Sequence, residues 1–322
     1  MDKLAEARPK LGASSCLLGT QVRFDGGHKH NAYLTQTLAR YFDFVGFCPE
    51  QGIGLPTPRP PIRLVAHQGA PTIRAVDFKD NSVDHSESLV RFAEQTCAKI
   101  DDLSGYIVKK DSPSCGMERV KVYEKDAAPP VRRGIGIFTQ RIMLKRPELP
   151  LEEEGRLMDP HLRENFVTRV FTMSRFRQMV NDGLTPQRLI EFHTRHKFLI
   201  LAHHESIYRE LGRDIAKLAI TSLEASANAY IKLMMQGLRQ LATPGRHANV
   251  LMHIMGFVKN SMSPDDKVEL LDVIEQHRLG LLPVIVPITL LNHFLRRHPN
   301  QYVSQQYYLS PHPRELMLRN SI

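Results

Sequence analysis

The chain has 322 residues, of which 42% are hydrophobic and 24% charged, and it carries a formal net charge of +9. That length fits two domains, the apolar content excludes a wholly disordered chain, and the charge favours a polyanionic partner such as nucleic acid. A basic enzyme without such a partner is the alternative. The opening MDKLAEARPK is charged and has no apolar run, so no secretory signal is expected. The most apolar late stretch, residues 281–291, holds two prolines and is 11 residues long, against about 20 for a membrane-spanning helix. A cytoplasmic protein with no membrane partner is expected. In such a reducing compartment its four cysteines are thiols, ligands or core residues rather than a disulfide framework.

In chain order, residues 9–18 read as a strand ending at Cys16, followed by a polar, glycine-containing loop and a helix over Ala32–Phe42. Phe44–Phe47 is a short apolar run that ends at Cys48. Residues 52–61, GIGLPTPRPP, cannot be regular, because proline fixes φ and removes a donor. His85–Ile100 places Leu89, Phe92, Ala93, Cys97 and Ile100 at helical spacing. Gly105–Val108 reads as a strand and leads into KKDSPSCG. This alternation predicts an α/β first domain built on a mostly parallel sheet. Residues 150–170 look like its end. From about residue 183 the pattern is almost purely helical, which predicts an all-α bundle. Thr185–Pro186 is a cap followed by proline and precedes a helix over Gln187–His204. Ser206 is the expected cap of the next helix, Ser222–Leu241 follows, Ser263 begins another, and Pro283–Arg297 is the last, with Pro287 as a candidate kink.

Cys16, Cys48 and Cys115 each follow a predicted strand. In an open parallel sheet the loops at the carboxyl ends of strands gather on one edge, where ligands bind, so three cysteines far apart in sequence can meet. Three thiolates there suit a soft metal or an iron–sulfur cluster; unconnected structural cysteines are the plain alternative. Cys97, on a helix face, reads as a core residue. Glu50, two residues after Cys48, can donate or accept a proton beside such a group, or be a surface carboxylate. Ser112, three before Cys115, can orient a substrate or relay a proton, or simply close a turn. The loop RFDGGHKH (residues 23–30) mixes glycines with Arg23, His28 and Lys29, candidates for phosphate or base contacts. In the helical part, Arg188, Arg195, His196 and Lys197 lie among further histidines and suggest a nucleic-acid-binding face, a solvated helix face being the alternative. There is no phosphate-binding G-x-x-x-x-G-K-[ST] loop.

Four segments of the first part, SSCLLGTQVRFDGGHK, FCPEQGIGLPTPRPPIRL, GYIVKKDSPSCG and LEEEGRLMDPHLRENF, occur in an order that resembles the thiouracil desulfidase (TudS) family over about residues 8–170. FHTRHKFLILAHHESIYRELGR, RHANVLMHIMGFVK and PVIVPITLLNHFLRRHPNQYVSQQYYL resemble the YbgA-like helical domain over about residues 183–322. The fusion resembles the RNA desulfidase (RudS) group. That resemblance implies a [4Fe-4S] cluster held by Cys16, Cys48 and Cys115 with one open iron to accept sulfur. It further implies Glu50 and Ser112 as the catalytic proton-handling residues, and conversion of 4-thiouridine in tRNA to uridine without net redox change. tRNA is the implied partner, held by the helical domain. Desulfidation of a free thiobase, a nucleic-acid-binding protein with a structural metal, and a thiol redox enzyme are the competing readings. The absence of C-x-x-C weighs against the last.

Overall fold

In a computed structural model, which describes residues 8–66, 72–124, 129–218 and 223–322, the apolar runs of the first half become the strands of two separate sheets. The strands are β1 (Lys10–Ser14), β2 (Asp43–Phe47), β3 (Ile62–Ala66), β4 (Ile73–Asp77), β5 (Gly105–Val108), β6 (Val120–Tyr123), β7 (Val131–Gly134) and β8 (Leu151–Glu153). The first sheet has the order β2-β1-β5-β8, with every neighbouring pair parallel. All four residues of β5 are buried, as expected for an interior parallel strand covered on both faces. In register, Gly12 faces Val45 on one side and Tyr106 on the other. A Cβ at Gly12 would come within 2.4 Å of the Tyr106 ring, so the ring's close approach requires glycine.

The second sheet, order β4-β3-β6-β7, pairs β3 and β6 in parallel and its outer pairs antiparallel. Neither it nor the helix α3 (Ile137–Lys145) is apparent in the sequence pattern. Helices α1 (Pro49–Gly52) and α2 (Ser86–Cys97) complete the regular helices of this part. α2 serves both sheets: Leu89 packs with Leu64, Val120 and Val122, whereas Ala93 joins Tyr106, Val108 and Phe138. Two details of the sequence reading change. The first strand stops at Ser14, and Cys16 sits in a 3-10 turn, Ser15–Leu18. Ala32–Phe42 is not an α-helix; it holds a five-residue π turn, Tyr33–Thr37, and a 3-10 turn, Leu38–Arg40. Residues 52–61 lie outside strands and, Gly52 apart, outside helices.

The chain divides between Met158 and Asp159, earlier than the expected end near residue 170. The reason is the helix α4 (Pro160–Asn181), which begins at an Asp159 cap and belongs to the second unit. The second unit continues through α5 (Pro186–His203), α6 (Glu205–Ala216), α7 (Leu223–Leu238), α8 (Pro244–Met255), α9 (Pro264–Arg278), α10 (Ile285–Arg297) and α11 (Gln301–Ser304) around one apolar core. Four of these helices start on one device, a side-chain cap followed by proline: Asp159–Pro160, Thr185–Pro186, Thr243–Pro244 and Ser263–Pro264. The cap accepts an orphan backbone N–H, and proline at the first position has none to leave unpaired. The cap of α6 is His204 rather than Ser206. Ser222 lies outside the described residues. Pro287 does not interrupt α10: it stands in the first turn, where backbone N–H groups have no helical partner to lose. Among the described residues no helix is long and apolar enough to cross a membrane.

Candidate active site

Because β2, β1 and β5 are parallel neighbours, their carboxyl ends deliver three loops to one edge. Cys16 follows β1, Cys48 follows β2, and Cys115 lies in the loop after β5. The three thiols line a single pocket with a cavity volume of about 50 Å³, and Glu50, Ser112 and Arg23 line it too. All three cysteines are unpaired. Burial pushes the Cys16 thiol up to about 11 and raises Cys48, while Cys115 is driven higher still. A negative charge on Cys48 resists ionisation of both other thiols, so the three lie within electrostatic reach of one another. Arg23 opposes this at Cys16. No group of three or more His, Cys, Asp or Glu among the described residues is placed to hold a single metal ion.

Glu50 is fixed from two sides. Arg59, from the proline-rich segment, donates to Glu50 Oε2 through Nε at 2.9 Å and Nη2 at 2.5 Å. Its side chain is 2% exposed, that of Glu50 17%. The remaining guanidinium donors go to the Val22 carbonyl at 2.9 Å, the Pro56 carbonyl at 3.1 Å and Thr57 Oγ1 at 3.2 Å. The other carboxylate oxygen, Oε1, accepts from Ser114 Oγ at 2.5 Å. A hydroxyl has one proton, so in the 3.1 Å contact between Ser112 and Ser114 it is Ser112 that donates. Ser112 Oγ in turn accepts from the Cys115 backbone N–H at 3.1 Å. The result is a directed chain, Cys115 N–H to Ser112 to Ser114 to Glu50, in which Ser112 and Glu50 reach the pocket and Ser114 is fully buried.

The loop that carries this chain is clamped by its neighbours. The Met117 N–H donates to Glu153 Oε1 at 2.8 Å, and the Lys110 N–H to Glu154 Oε2 at 2.8 Å. Lys109, which lines the pocket, pairs with Glu154. On the far side, the free N–H groups of Ile137 and Phe138 at the start of α3 donate to the Pro113 and Ser114 carbonyls, both at 3.1 Å. Gly136 makes that approach possible, since a Cβ there would lie 2.5 Å from the Ser114 carbonyl.

The pocket thus gathers Cys16, Cys48, Cys115, Glu50, Ser112 and Arg23. His28 and Lys29 are exposed and do not line it. Cys97 stands apart, half-buried against the core behind β5. Arg59, Ser114 and Lys109 went unseen in the sequence; two hydroxyls in Ser112-Pro113-Ser114-Cys115 were the available hint. The basic-helix expectation needs correction. His196 is 0% exposed, sandwiched between the Phe192 and Tyr307 rings, with Nδ1 on the Phe192 carbonyl at 2.7 Å. Buried on the core side of α5, it presents nothing to a nucleic acid. Arg188 folds back onto the Asp182 and Gly183 carbonyls. Arg195 and Lys197 lie over the rings of Tyr307 and Tyr302.

Residues 11–154 match the family model described as 2-thiouracil desulfurase, and residues 197–313 match that of a protein family of unknown function, DUF1722. The chain joins a 2-thiouracil desulfurase domain to a DUF1722 domain. An Escherichia coli (strain K12) protein described as uncharacterised protein YbgA is 29% identical over 159 residues, 49% of this chain and 94% of its own. Among solved structures, a [4Fe-4S]-dependent thiouracil desulfidase, TudS, is 29% identical and covers 47% of this chain and 93% of its own, with a TM-score of 0.37. The 2-thiouracil desulfurase match ends at Glu154, so the two carboxylates that clamp the Cys115 loop fall inside it.

Proposed function

We propose that this protein is an iron–sulfur-dependent desulfidase that removes the sulfur of 4-thiouridine in tRNA and releases uridine. The observation that carries the reading is the meeting of three unpaired thiols with the Glu50–Ser114–Ser112 chain in one pocket of a 2-thiouracil desulfurase domain. The donor set suits a four-iron cluster: thiolates bind such clusters one to an iron, so the ligands surround the group instead of converging on a point, and three of them leave one iron for substrate. An orphaned atom supports this. The Tyr106 hydroxyl is buried without a hydrogen-bond partner, and Cys115, Cys48 and Cys16 are the ionisable groups within electrostatic reach of it. Sulfur acceptors there would give it a partner.

Cys16, Cys48 and Cys115 would hold the cluster, whose protein-free iron supplies a thiophilic Lewis acid that binds and polarises a thiocarbonyl. Thiol ligands must lose their protons on binding, and Arg23 is placed to favour the charge at Cys16. Replacement of C=S by C=O consumes one water and releases sulfide with two protons, so no electrons are exchanged. Glu50 faces the pocket and can take a proton from the attacking water. Arg59 holds one oxygen of that carboxylate, while Ser114 and Ser112 connect the other to a second point on the pocket wall. As arranged, both hydroxyls donate toward Glu50, so a proton accepted at Glu50 is returned at Ser112, where the departing sulfur needs it, once the two hydroxyls have turned over. The net charge of +9 supports a polyanionic substrate.

The test is anaerobic. The reconstituted protein is incubated with tRNA containing 4-thiouridine, the tRNA is digested, and both nucleosides are quantified. Loss of 4-thiouridine matched by gain of uridine, and absent in Cys48→Ala, is the expected result. Turnover of free thiouracil with untouched tRNA would transfer the reading to free thiobases. No turnover of either by a protein whose cluster absorption is intact would overturn it.

A further inference from the structure

The second unit contains a pocket that the sulfur chemistry does not use. It lies between one face of α10 and the chain's last segment, with a cavity volume of about 270 Å³. Asn292 and Arg296 reach it from α10, and His312, Arg314 and Arg319 from the segment that follows α11. The floor is polar but enclosed: His312 is 6% exposed and Arg319 5%. Arg319 is fixed by Nε on Glu164 Oε1 at 3.0 Å, by Nη1 on the Tyr308 carbonyl at 2.5 Å and by stacking over the Tyr308 ring, and its Nη2 has no hydrogen-bond partner among the described residues. His312 Nε2 stands 3.6 Å from the same Glu164 oxygen without a hydrogen bond.

The charge balance is one-sided. Glu164 neutralises a single cation, and Thr168 also donates to it, so its carboxylate is already engaged. Arg296 and Arg314 stand exposed at the rim and form no ion pair or side-chain hydrogen bond within the described residues. Arg40, Arg119, Arg213 and Arg297 likewise form none, but none of them lines this pocket, where two such groups meet. Two free guanidinium groups over a third that is half-committed present planar donor arrays to one volume. Such arrays match the tetrahedral oxygens of a phosphate group, which they hold by paired charge-assisted hydrogen bonds. A neutral ligand would leave the positive charge uncompensated, and a cationic one would be repelled.

We propose that this pocket is a binding site for a phosphate group, engaged by Arg296 and Arg314 with Arg319 at its base. The proposal does not depend on the desulfidase reading. The phosphate can belong to a small phosphorylated molecule or to an RNA backbone, and the experiment separates the two.

Full-length protein is titrated with inorganic phosphate by calorimetry, and with a labelled RNA hairpin by fluorescence anisotropy. The variant Arg296→Gln/Arg314→Gln is compared with Arg213→Gln/Lys217→Gln, which removes equal charge from exposed positions of α6 and its end. All four positions are exposed, so unfolding midpoints should not move. The pocket pair should weaken binding about tenfold or more, as loss of two charge-assisted contacts implies, and the α6 pair should not. Loss of phosphate and RNA binding together identifies a backbone phosphate. Loss of phosphate binding with RNA binding intact identifies a small phosphorylated ligand. Absence of saturable binding of either probe, or equal weakening by both pairs, overturns the proposal.

Discussion

Arg59 is the residue on which the geometry of the candidate catalytic carboxylate depends, and Arg59→Met isolates that dependence. Methionine fills similar length without charge or donors. The substitution removes five side-chain hydrogen bonds, two of them to Glu50. Breaking a buried ion pair by deleting one partner costs about 3–5 kcal/mol. Glu50 retains 17% exposure and gains some water, whereas the Val22 carbonyl is left beneath a buried residue. The two corrections oppose each other, so about 3 kcal/mol is expected, a large share of the roughly 5–15 kcal/mol that stabilises a domain. Urea unfolding of the cluster-free chain measures it. Adding Glu50→Gln to Arg59→Met removes the stranded charge and should recover part of the loss, a coupling that a double-mutant cycle reads directly. If Arg59→Met costs less than about 1 kcal/mol, or Glu50→Gln recovers nothing, Arg59 does not hold Glu50 in the way described.

Cys16→Ala, Cys48→Ala and Cys115→Ala should each abolish the visible absorption of the reconstituted protein, while Cys97→Ala keeps it; loss in Cys97→Ala would break the assignment of ligands. Gly136→Ala places a methyl 2.5 Å from the Ser114 carbonyl, and should destabilise by about 2 kcal/mol or more through overpacking and lower cluster occupancy; a variant with normal melting temperature and absorption contradicts the clamp. Glu154→Gln frees Lys109 and weakens the hold on the Lys110 N–H, so turnover should fall several-fold with the fold retained by circular dichroism. The second unit should lose stability in acid. Burial lowers His193 to about 4 and lowers His196, His203 and His247 as well. The unfolded chain therefore takes up protons below about pH 6.5 while the folded chain does not, and stability falls from there toward pH 4. Urea midpoints that stay constant between about pH 7 and pH 5 would contradict this.

The site was legible where a topological rule acts on visible residues. Cysteines that follow apolar runs, in a pattern of alternating strands and helices, must come to one edge if the sheet is parallel, and Cys16, Cys48 and Cys115 did. Arg59 was not legible. The segment Gly52–Pro61 advertises only its irregularity, and nothing local says that its one cation turns inward to a carboxylate nine residues earlier. The second sheet escaped for a related reason. β7 is VRRG, exposed over three of four residues, and β6 alternates too briefly to stand out. Short strands of this kind are defined by their partners more than by their own composition.

The misreading of α5 has a different origin, because the information was present. Leu189, Phe192, His193, His196, Leu199, Ile200 and His203 recur at three- and four-residue intervals, and all of them are buried. That is an apolar stripe with histidines in it. Counting cations along the helix hides this; placing them on its surface reveals it. Three of the histidines become core groups that accept or donate one hydrogen bond each, to Tyr230, Phe192 and Gln240. Among the cations of α5, the ones that face outward are then occupied by carbonyls and rings. The exposed guanidinium groups of this unit without a hydrogen bond or ion pair among the described residues lie elsewhere, at Arg213, Arg296, Arg297 and Arg314, and of these Arg296 and Arg314 share one pocket.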